Sequence, residues 1–354
     1  MDGTAGKKFG ALARLSEVRV LASAEPGTPT EDETFRLVSP ARPRLLDGVL
    51  FHLLLPFRVA RELREFQPDA VLVDAAHDGL GVLAGRALAR SDARVVVELH
   101  GDWRASARLY GSPLRKLVAP VVDALVRIGI RHVDGVRTLS PFTTELVREE
   151  GVEPAAEFPA FVDFDAFRRS PPSPLPARPS LLFIGVLEEY KGLDVLAAAW
   201  RLAAPRVPDA ELVLVGRGSR PKIVEELMVD LPRQTRWYPA LEPAEVAREL
   251  DGGTALVLPS RSEGLPRVVL EAFCRGRPVI AAPAGGVVDQ IRDGENGVLV
   301  DREDVEGLAD AIVDVLLERD WAERLAAGAA ASADEWLSTP EEFAQRVRDL
   351  VVSL

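Results

Sequence analysis

Short aliphatic and β-branched runs recur along this chain, each followed by a longer amphipathic segment, and one proline-rich stretch cuts the series in two. A strand with no polar face must be covered on both sides. When a helical segment follows each such strand, the strands run parallel and the helices cover them. In the first half the runs predict strands over 18–22, 70–73, 94–99 and 135–139, and helices over 51–66, 79–89, 114–130 and 141–150. In the second half strands are expected over 180–184, 211–215, 235–238, 255–258, 278–281 and 298–300. Helices are expected between them over 192–203, 221–230, 243–250, 266–275, 287–292 and 305–318, with a last helix over 339–354.

The dividing stretch, residues 168–180, reads RRSPPSPLPARPS, five prolines in thirteen residues. It can continue neither a helix nor a central strand, and reads as a stiff interdomain linker. The expected organisation is therefore an N-terminal α/β domain over 1–167, a linker over 168–180 and a second α/β domain over 181–338. The helix over 339–354 is expected to return toward the first domain. Two Rossmann-like units facing each other leave a cleft, with ligands at the carboxyl ends of the strands. The first domain starts oddly. Its glycine turn, Gly3-Thr4-Ala5-Gly6, has no apolar strand before it. Either the sheet lacks its leading strand or the natural start lies upstream.

Charge narrows the function. The net charge is −12, with 21 basic and 20 acidic residues in 1–150 and 22 against 35 in 151–354. So acidic a protein is a poor general binder of nucleic acid. The lone cysteine, Cys274, cannot form an internal disulfide and suits a reducing cytoplasm. No stretch approaches the ~18 apolar residues of a spanning helix, and the lysines near the start precede no signal-like apolar segment. The expectation is a cytoplasmic protein, soluble or peripheral to the inner face of a membrane. Residues 101–148 carry eight basic against four acidic groups, with Trp103, Leu109, Tyr110, Leu114 and Leu117 among Arg104, Arg108, Arg115 and Lys116. Such a mixture reads either as a dock for anionic lipid headgroups or as a solvated helix face over ordinary core.

The densest chemistry lies in 256–282, LVLPSRSEGLPRVVLEAFCRGRPVIAA. A strand should end at Pro259, a polar turn should hold Ser260, Ser262, Glu263 and Gly264, and a helix should open with Pro266 at its first position. Backbone N–H groups around Gly264, Leu265 and Arg267 would then face outward as an anion site. Glu263 and Glu271, eight residues apart, could accept hydrogen bonds from a hydroxyl-rich group. Taken singly, each has a plainer reading: Glu263 complements a helix start and Glu271 lies on the surface. Lys191 stands at a strand-to-helix turn, as a phosphate-binding or ordinary surface lysine. Gly216 and Gly218 flank Arg217, in a simple tight turn or where backbone approaches a ligand. His100 ends an apolar strand, VVVEL. His52, His77 and His132 have no metal-like spacing, so no metal site is expected.

Together these motifs resemble the donor site of family 4 glycosyltransferases of the GT-B fold. The resemblance rests on Glu263-x7-Glu271 within SEGLPRVVLEAFCRGRPVIA, on Phe183-Ile184-Gly185 with Tyr190-Lys191-Gly192-Leu193-Asp194, and on LVLVGRG over 212–218. Gly285-Gly286 and Asp293-Gly294-Glu295-Asn296-Gly297 continue it. It is dense over 180–302 and thinner earlier, at VVVELHGDW (95–103), Leu139-Ser140 and Val162-Asp163. The resemblance implies two facing Rossmann-like domains and a metal-independent enzyme without cofactor. Such an enzyme moves a sugar, with retention, from a nucleoside-diphosphate sugar to an acceptor hydroxyl. Lys191 would neutralise the diphosphate, Glu263 would touch the sugar, Glu271 the ribose, and His100 would line the site near sugar and acceptor. Gly185, Gly216, Arg217, Gly218, Gly264 and Leu265 would complete the donor site. The departing phosphate would take the acceptor proton. A lipid-linked or cell-envelope glycan is the expected acceptor.

The sequence departs from the family at Val186, where a second phosphate-binding arginine is usual; Arg217 is the nearest replacement. Two alternatives therefore stand beside the transferase: a non-catalytic binding or partner protein, and an epimerase or sugar-phosphate synthase of the same fold. A nicotinamide dehydrogenase fits worse, because GRGSRP over 216–221 lacks the third glycine of the dinucleotide fingerprint.

Overall fold

The computed structural model describes residues 3–23, 34–38, 47–105 and 113–354, with backbone only at 47–49 and 113–118. The chain forms two compact units, one of Met1–Arg104, Leu117–Val162 and Ser338–Leu354, the other of Ala105–Lys116 and Asp163–Leu337.

The first unit opens with α1 (Gly3–Leu15), then β1 (Val20–Ser23) and β2 (Phe35–Val38), which pair in parallel with each other. The glycines expected to form a turn lie inside α1. A Cβ at Gly6 or Gly10 would meet nothing within 4 Å, so no close packing there requires glycine. Next come α2 (Asp47–Phe66), β3 (Ala70–Val73), α3 (Gly79–Ala89), β4 (Arg94–Leu99), α4 (Pro113–His132), β5 (Gly135–Thr138), α5 (Pro141–Arg148) and β6 (Ala156–Glu157). The strands β3-β4-β5-β6 make a parallel sheet in that order, separate from β1–β2. Val95, Val96 and Val97 of β4 are fully buried because both sheet faces are covered. Val95 and Val97 join the core with α2, α3 and α4, whereas Val96 faces Phe158, Phe161 and Phe343. Helices α2 and α3 approach closely at Gly85, where a Cβ would sit 2.8 Å from Val59 and from the Pro56 carbonyl.

The second unit contains α6 (Asp165–Arg168), β7 (Ser180–Ile184), α7 (Leu193–Ala203), β8 (Glu211–Val215), α8 (Pro221–Asp230), β9 (Thr235–Tyr238) and α9 (Pro243–Gly252). It continues with β10 (Ala255–Leu258), α10 (Arg267–Cys274), β11 (Val279–Ala281), α11 (Val287–Gln290), β12 (Gly297–Leu299), α12 (Val305–Leu317) and α13 (Arg319–Ser332). Its parallel sheet has the order β12-β11-β10-β7-β8-β9. The chain steps outward from β7 to β9, then returns to the other side of β7 for β10 to β12. The connections leaving β7 and β10 therefore diverge at the carboxyl edge, the topological switch point where such sheets bind ligands. Several details differ from the sequence reading. Helix α6 was not anticipated, and α11 ends at Gln290, short of the expected 292. Helix α10 begins at Arg267 with Pro266 as its N-cap, and the alanine-rich α13 was not anticipated. Gly328 lets α13 approach another segment closely, since a Cβ there would lie 2.0 Å from the Glu295 carbonyl.

The proline-rich segment is bound within the second unit. Proline removes backbone donors but leaves every carbonyl, so the segment is rich in acceptors with few donors of its own. Three arginines supply the donors. Arg275, buried and paired with Asp251 at 2.7 Å, donates to the carbonyls of Phe167, Ser170 and Pro171. Arg277, also buried, donates to Ser173 and Pro174, and Arg319 to Leu175 and Pro176.

The last helix, α14 (Pro340–Ser353), belongs to the first unit and packs on α1. Thr339 and Glu342 form a capping box at its start. Phe343 is 1% exposed, with ring centroids 5.9 Å from Phe158 and 6.4 Å from Phe161. The Phe343→Ala variant should lose about 3–5 kcal/mol of stability in the first unit, read as faster amide exchange in β4 and β5 with β7–β12 unaffected.

Candidate functional site

At the carboxyl edge of the second unit, the loops after β8, β7, β10 and β11 are laid against each other at glycines. Gly216, after β8, has φ +143°, and a Cβ there would fall 1.8 Å from the Gly185 carbonyl. A Cβ at Gly218 would fall 2.6 Å from the Leu187 carbonyl. The Gly185 N–H donates to Val215 at 2.9 Å and the Leu187 N–H to Arg217 at 3.1 Å. Arg217 thus lies beside Val186 across one hydrogen bond. Its side chain is exposed and, among the described residues, engages no hydrogen bond or ion pair.

On the other side of β7, Gly192 has φ +65°, and a Cβ there would lie 2.0 Å from the Pro259 carbonyl. This closeness brings the loop after β7 onto the loop after β10. The Lys191 Nζ donates to Glu263 Oε1 at 2.6 Å, and the Ser260 hydroxyl donates to the same oxygen at 2.6 Å. Lys191 and Glu263 are both buried although 72 residues apart. Gly285, with φ +59°, closes on the Glu263 carbonyl, where a Cβ would sit at 1.9 Å, and the Gly286 N–H donates to Gly264 at 2.8 Å. Arg261 fixes the same loop from outside by pairing with Asp194 at 2.9 Å and Glu303 at 2.6 Å.

Gly264 and Leu265 lead into α10. Among the described residues the N–H groups of Gly264, Leu265 and Arg267 donate to no partner. One turn on, Glu271 is half-buried with Arg267 3.9 Å away. Burial pushes its pKa up, and the Arg267 charge only partly offsets this. Among the described residues this carboxylate accepts no hydrogen bond, which leaves it available to hydroxyl groups.

His100 lies in the first unit, at the carboxyl end of β4. Its Nε2 is 3.0 Å from Asp74 Oδ1 and 3.7 Å from Glu98 Oε2. Burial opposes charge on the ring, but hydrogen bonding to Asp74 and Glu98 outweighs it and pushes the pKa up to about 9. Glu98 in turn pairs with the fully buried Arg137 directly across the strand ladder. Arg137 also stacks 4.2 Å from the Phe158 ring centroid and donates to the Phe158 carbonyl.

The predicted residues therefore fall into distinct groups. Lys191 and Glu263 are in contact. Gly185, Gly216, Arg217 and Gly218 share one pair of loops, and Gly264, Leu265 and Glu271 follow Glu263 into α10. The structure adds Ser260, Asp74, Glu98 and Arg137. Asp74 was findable, since it directly follows β3 at the carboxyl edge; Arg137 was not, because arginine on a strand ordinarily reads as exposed. Of the two readings of the basic and aromatic stretch, burial of Trp103 in the core of the first unit fits the ordinary-core one. His52, His77 and Asp78 converge in the fold, a grouping the spacing of the histidines did not suggest. Arg108, Leu109 and Tyr110 lie outside the described residues, as do the side chains of Leu114, Arg115, Lys116 and Leu117.

Because the folded pKa of His100 lies above the 6.5 of a free histidine, its stabilising pairing is complete below that value and is lost as pH rises through about 9. In an NMR titration His100 should stay protonated to about pH 9, and Asp74→Asn should bring its pKa down. A midpoint near ~6.5 in the unsubstituted chain would contradict this assignment.

Residues 10–165 match the family described as Glycosyltransferase Family 4, and residues 178–318 match Glycosyl transferases group 1. The chain is 31% identical over 339 residues to the GDP-mannose-dependent alpha-(1-6)-phosphatidylinositol monomannoside mannosyltransferase of Mycolicibacterium smegmatis, covering 87% of this chain and 83% of that one. It is 31% identical over 179 residues to a D-inositol 3-phosphate glycosyltransferase of Corynebacterium urealyticum, 48% of this chain and less than half, 42%, of that relative's length. Among solved structures it is similar to sucrose-phosphate synthase from Thermosynechococcus elongatus, with TM-score 0.79 at 19% identity over 97% of this chain and 92% of that one. It is also similar to Anabaena HepE in complex with UDP and glucose, with TM-score 0.72 at 19% identity over 100% and 97%. The fold is that of the GT-B glycosyltransferases, and the relative matched across most of its length carries the finer kinship. The chain belongs to glycosyltransferase family 4.

Proposed function

We propose that this glycosyltransferase moves a sugar, with retention and without a metal ion, from a nucleoside-diphosphate sugar to a hydroxyl of a lipid-linked or cell-envelope acceptor. The observation that carries the donor side is the buried contact between Lys191 and Glu263. It sets an ammonium and a carboxylate at the carboxyl edge of β7 and β10, where the loops diverge. The diphosphate competes with Glu263 for Lys191. Once Lys191 turns to phosphate, the Glu263 carboxylate is released to accept hydrogen bonds from sugar hydroxyls. The N–H groups of Gly264, Leu265 and Arg267 and the Arg217 side chain, which have no partner among the described residues, add positive potential for the departing diphosphate. Glu271 is placed to receive ribose hydroxyls.

In the transfer, the bond from the anomeric carbon to the diphosphate oxygen breaks and a bond to the acceptor oxygen forms on the same face. The acceptor proton passes to the departing phosphate. His100, carried as a cation by Asp74 and Glu98, contributes a fixed positive charge and an N–H donor on the acceptor side. The likeness to a GDP-mannose-dependent relative supports GDP as the first nucleotide to test, and the likeness to a protein solved with UDP supports UDP as the second.

An acceptor anchored in lipid calls for a membrane-facing surface. Leu53 and Phe57 of α2 are 65% and 64% exposed, one turn apart. Val121, Leu125 and Ile128 make a second exposed apolar row on α4. No helix of the described residues is long and apolar enough to cross a membrane.

Calorimetry with GDP and UDP tests the donor reading. Lys191→Ala should weaken diphosphate binding by about 10-fold to 100-fold, the range of a charge-assisted hydrogen bond, and Arg217→Ala by less. Glu263→Gln should bind the free diphosphate at least as tightly as the unsubstituted chain while losing transfer, because it removes the competitor for Lys191. Equal loss of diphosphate binding in Glu263→Gln and Lys191→Ala would overturn the competition. For the membrane reading, co-sedimentation with anionic vesicles should fall in the Leu53→Glu/Phe57→Glu double variant. Partitioning that is negligible in the unsubstituted chain would remove that part of the proposal.

A further inference from the structure

Away from the donor residues, the first unit gathers two of its histidines and one aspartate. His52 projects from α2. His77 and Asp78 lie in the 3-10 turn Ala76–Asp78 that links β3 to α3. The His52 Nδ1 is 2.7 Å from Asp78 Oδ1, and the His77 Nε2 is 4.0 Å from the same oxygen. The two imidazole centroids are 5.0 Å apart at 70°. One nitrogen of each ring and one carboxylate oxygen all lie within 4.8 Å of one another.

From this, the geometry points to a binding site for one borderline divalent transition-metal ion, zinc in the first instance, held by His52, His77 and Asp78 and tying α2 to the turn that opens α3. Two neutral imidazoles with one carboxylate form a donor set that suits Zn²⁺, Co²⁺ or Ni²⁺ and disfavours Mg²⁺ and Ca²⁺, which prefer all-oxygen shells. Bonds of ~2.0 Å at a tetrahedral angle put neighbouring ligand atoms ~3.3 Å apart. The separations of 2.7 and 4.0 Å to the Asp78 oxygen bracket that value and the two ring nitrogens lie within 4.8 Å of each other, so side-chain adjustment at the two rings is what bringing all three onto one ion requires. Both rings are about half exposed, at 47% and 49%, which leaves an entry path and room for water in the fourth position. The backbones need little rearrangement, because α2 and α3 already touch at Gly85.

A neighbouring group, Asp74, Glu98 and His100, has comparable spacing but a different charge balance. Glu98 is committed to the buried Arg137, so that cluster already holds a cation. Among the described residues the His52 cluster pairs with no lysine or arginine. A hydrogen bond between His52 and Asp78 would by itself explain those two residues. It leaves unexplained why the His77 ring lies edge-on beside them.

The test uses the full chain, stripped of metal with a chelator and titrated with ZnCl₂ against a chromophoric competitor. One equivalent should bind and raise the melting temperature of the protein. His52→Gln and His77→Gln should each weaken binding about 10-fold or more, since even the partners that merely orient metal ligands are worth that much. His132→Gln, which changes a histidine outside the cluster, should leave binding unchanged. Co²⁺ bound to the unsubstituted protein should show visible absorption of tetrahedral strength, a readout that needs no variant to fold. Absence of stoichiometric binding, or binding equally affected by His132→Gln, would overturn the proposal. Because diphosphate affinity is measured separately on the second unit, failure here leaves the donor reading untouched.

Discussion

The carboxyl edge of the second unit is closed by backbone lying directly on backbone. At Gly216, Gly192 and Gly285 a single added carbon would sit within 2.0 Å of a carbonyl oxygen in the neighbouring loop, and each of the three has positive φ. No side chain can be accommodated there, and L residues would be strained in the same conformations. The closeness is what delivers Lys191 to Glu263. The two residues are 72 positions apart and sit on loops that follow the adjacent parallel strands β7 and β10, yet the two charges meet at 2.6 Å. Taking one of the two away would leave an uncompensated charge in a buried place. The glycines and the ion pair thus form one construction, in which tight loops set two charges against each other.

The first unit handles charge differently. Glu98 and Arg137 face each other across β4 and β5, so the pair is built into the strand register. Aromatic rings from Phe158 and Phe343 cover the guanidinium, and a main-chain carbonyl takes one of its donors. That anchoring holds Glu98 where it can share His100 with Asp74. In one unit a lysine and a glutamate are paired directly. In the other a histidine is kept charged by two carboxylates, one of which is itself fixed by arginine.

Much of this architecture was legible from residue patterns. Strands such as 94–99 and 211–215 are short, β-branched or aliphatic, and flanked by amphipathic segments, and they form where the pattern places them. Helix α13 escaped because its alanine-rich sequence has a weak apolar stripe and no N-cap hydrogen bond, although alanine itself favours helix. Strand β6 has two residues, too few for a periodic signal. Candidate site residues carried by a contiguous motif could be proposed from the sequence. Contacts created by tertiary approach could not. Nothing in the order of residues tells that Ser260 shares an oxygen with Lys191, that Arg137 is buried, or that His52 meets Asp78. The linker shows the same limit. Its prolines announce a break in regular structure, but only the fold reveals that Arg275, Arg277 and Arg319 occupy its carbonyls.

The placement of α14 bears on how the protein is made. The second unit is a nearly continuous stretch of chain, whereas the first needs its final helix to cover Val96 and the phenylalanines around it. During synthesis the core around Val96 cannot close before residues 340–353 have been made. The later-made unit can meanwhile complete its own core. Completion of the two cores therefore runs opposite to the order in which their first residues are made.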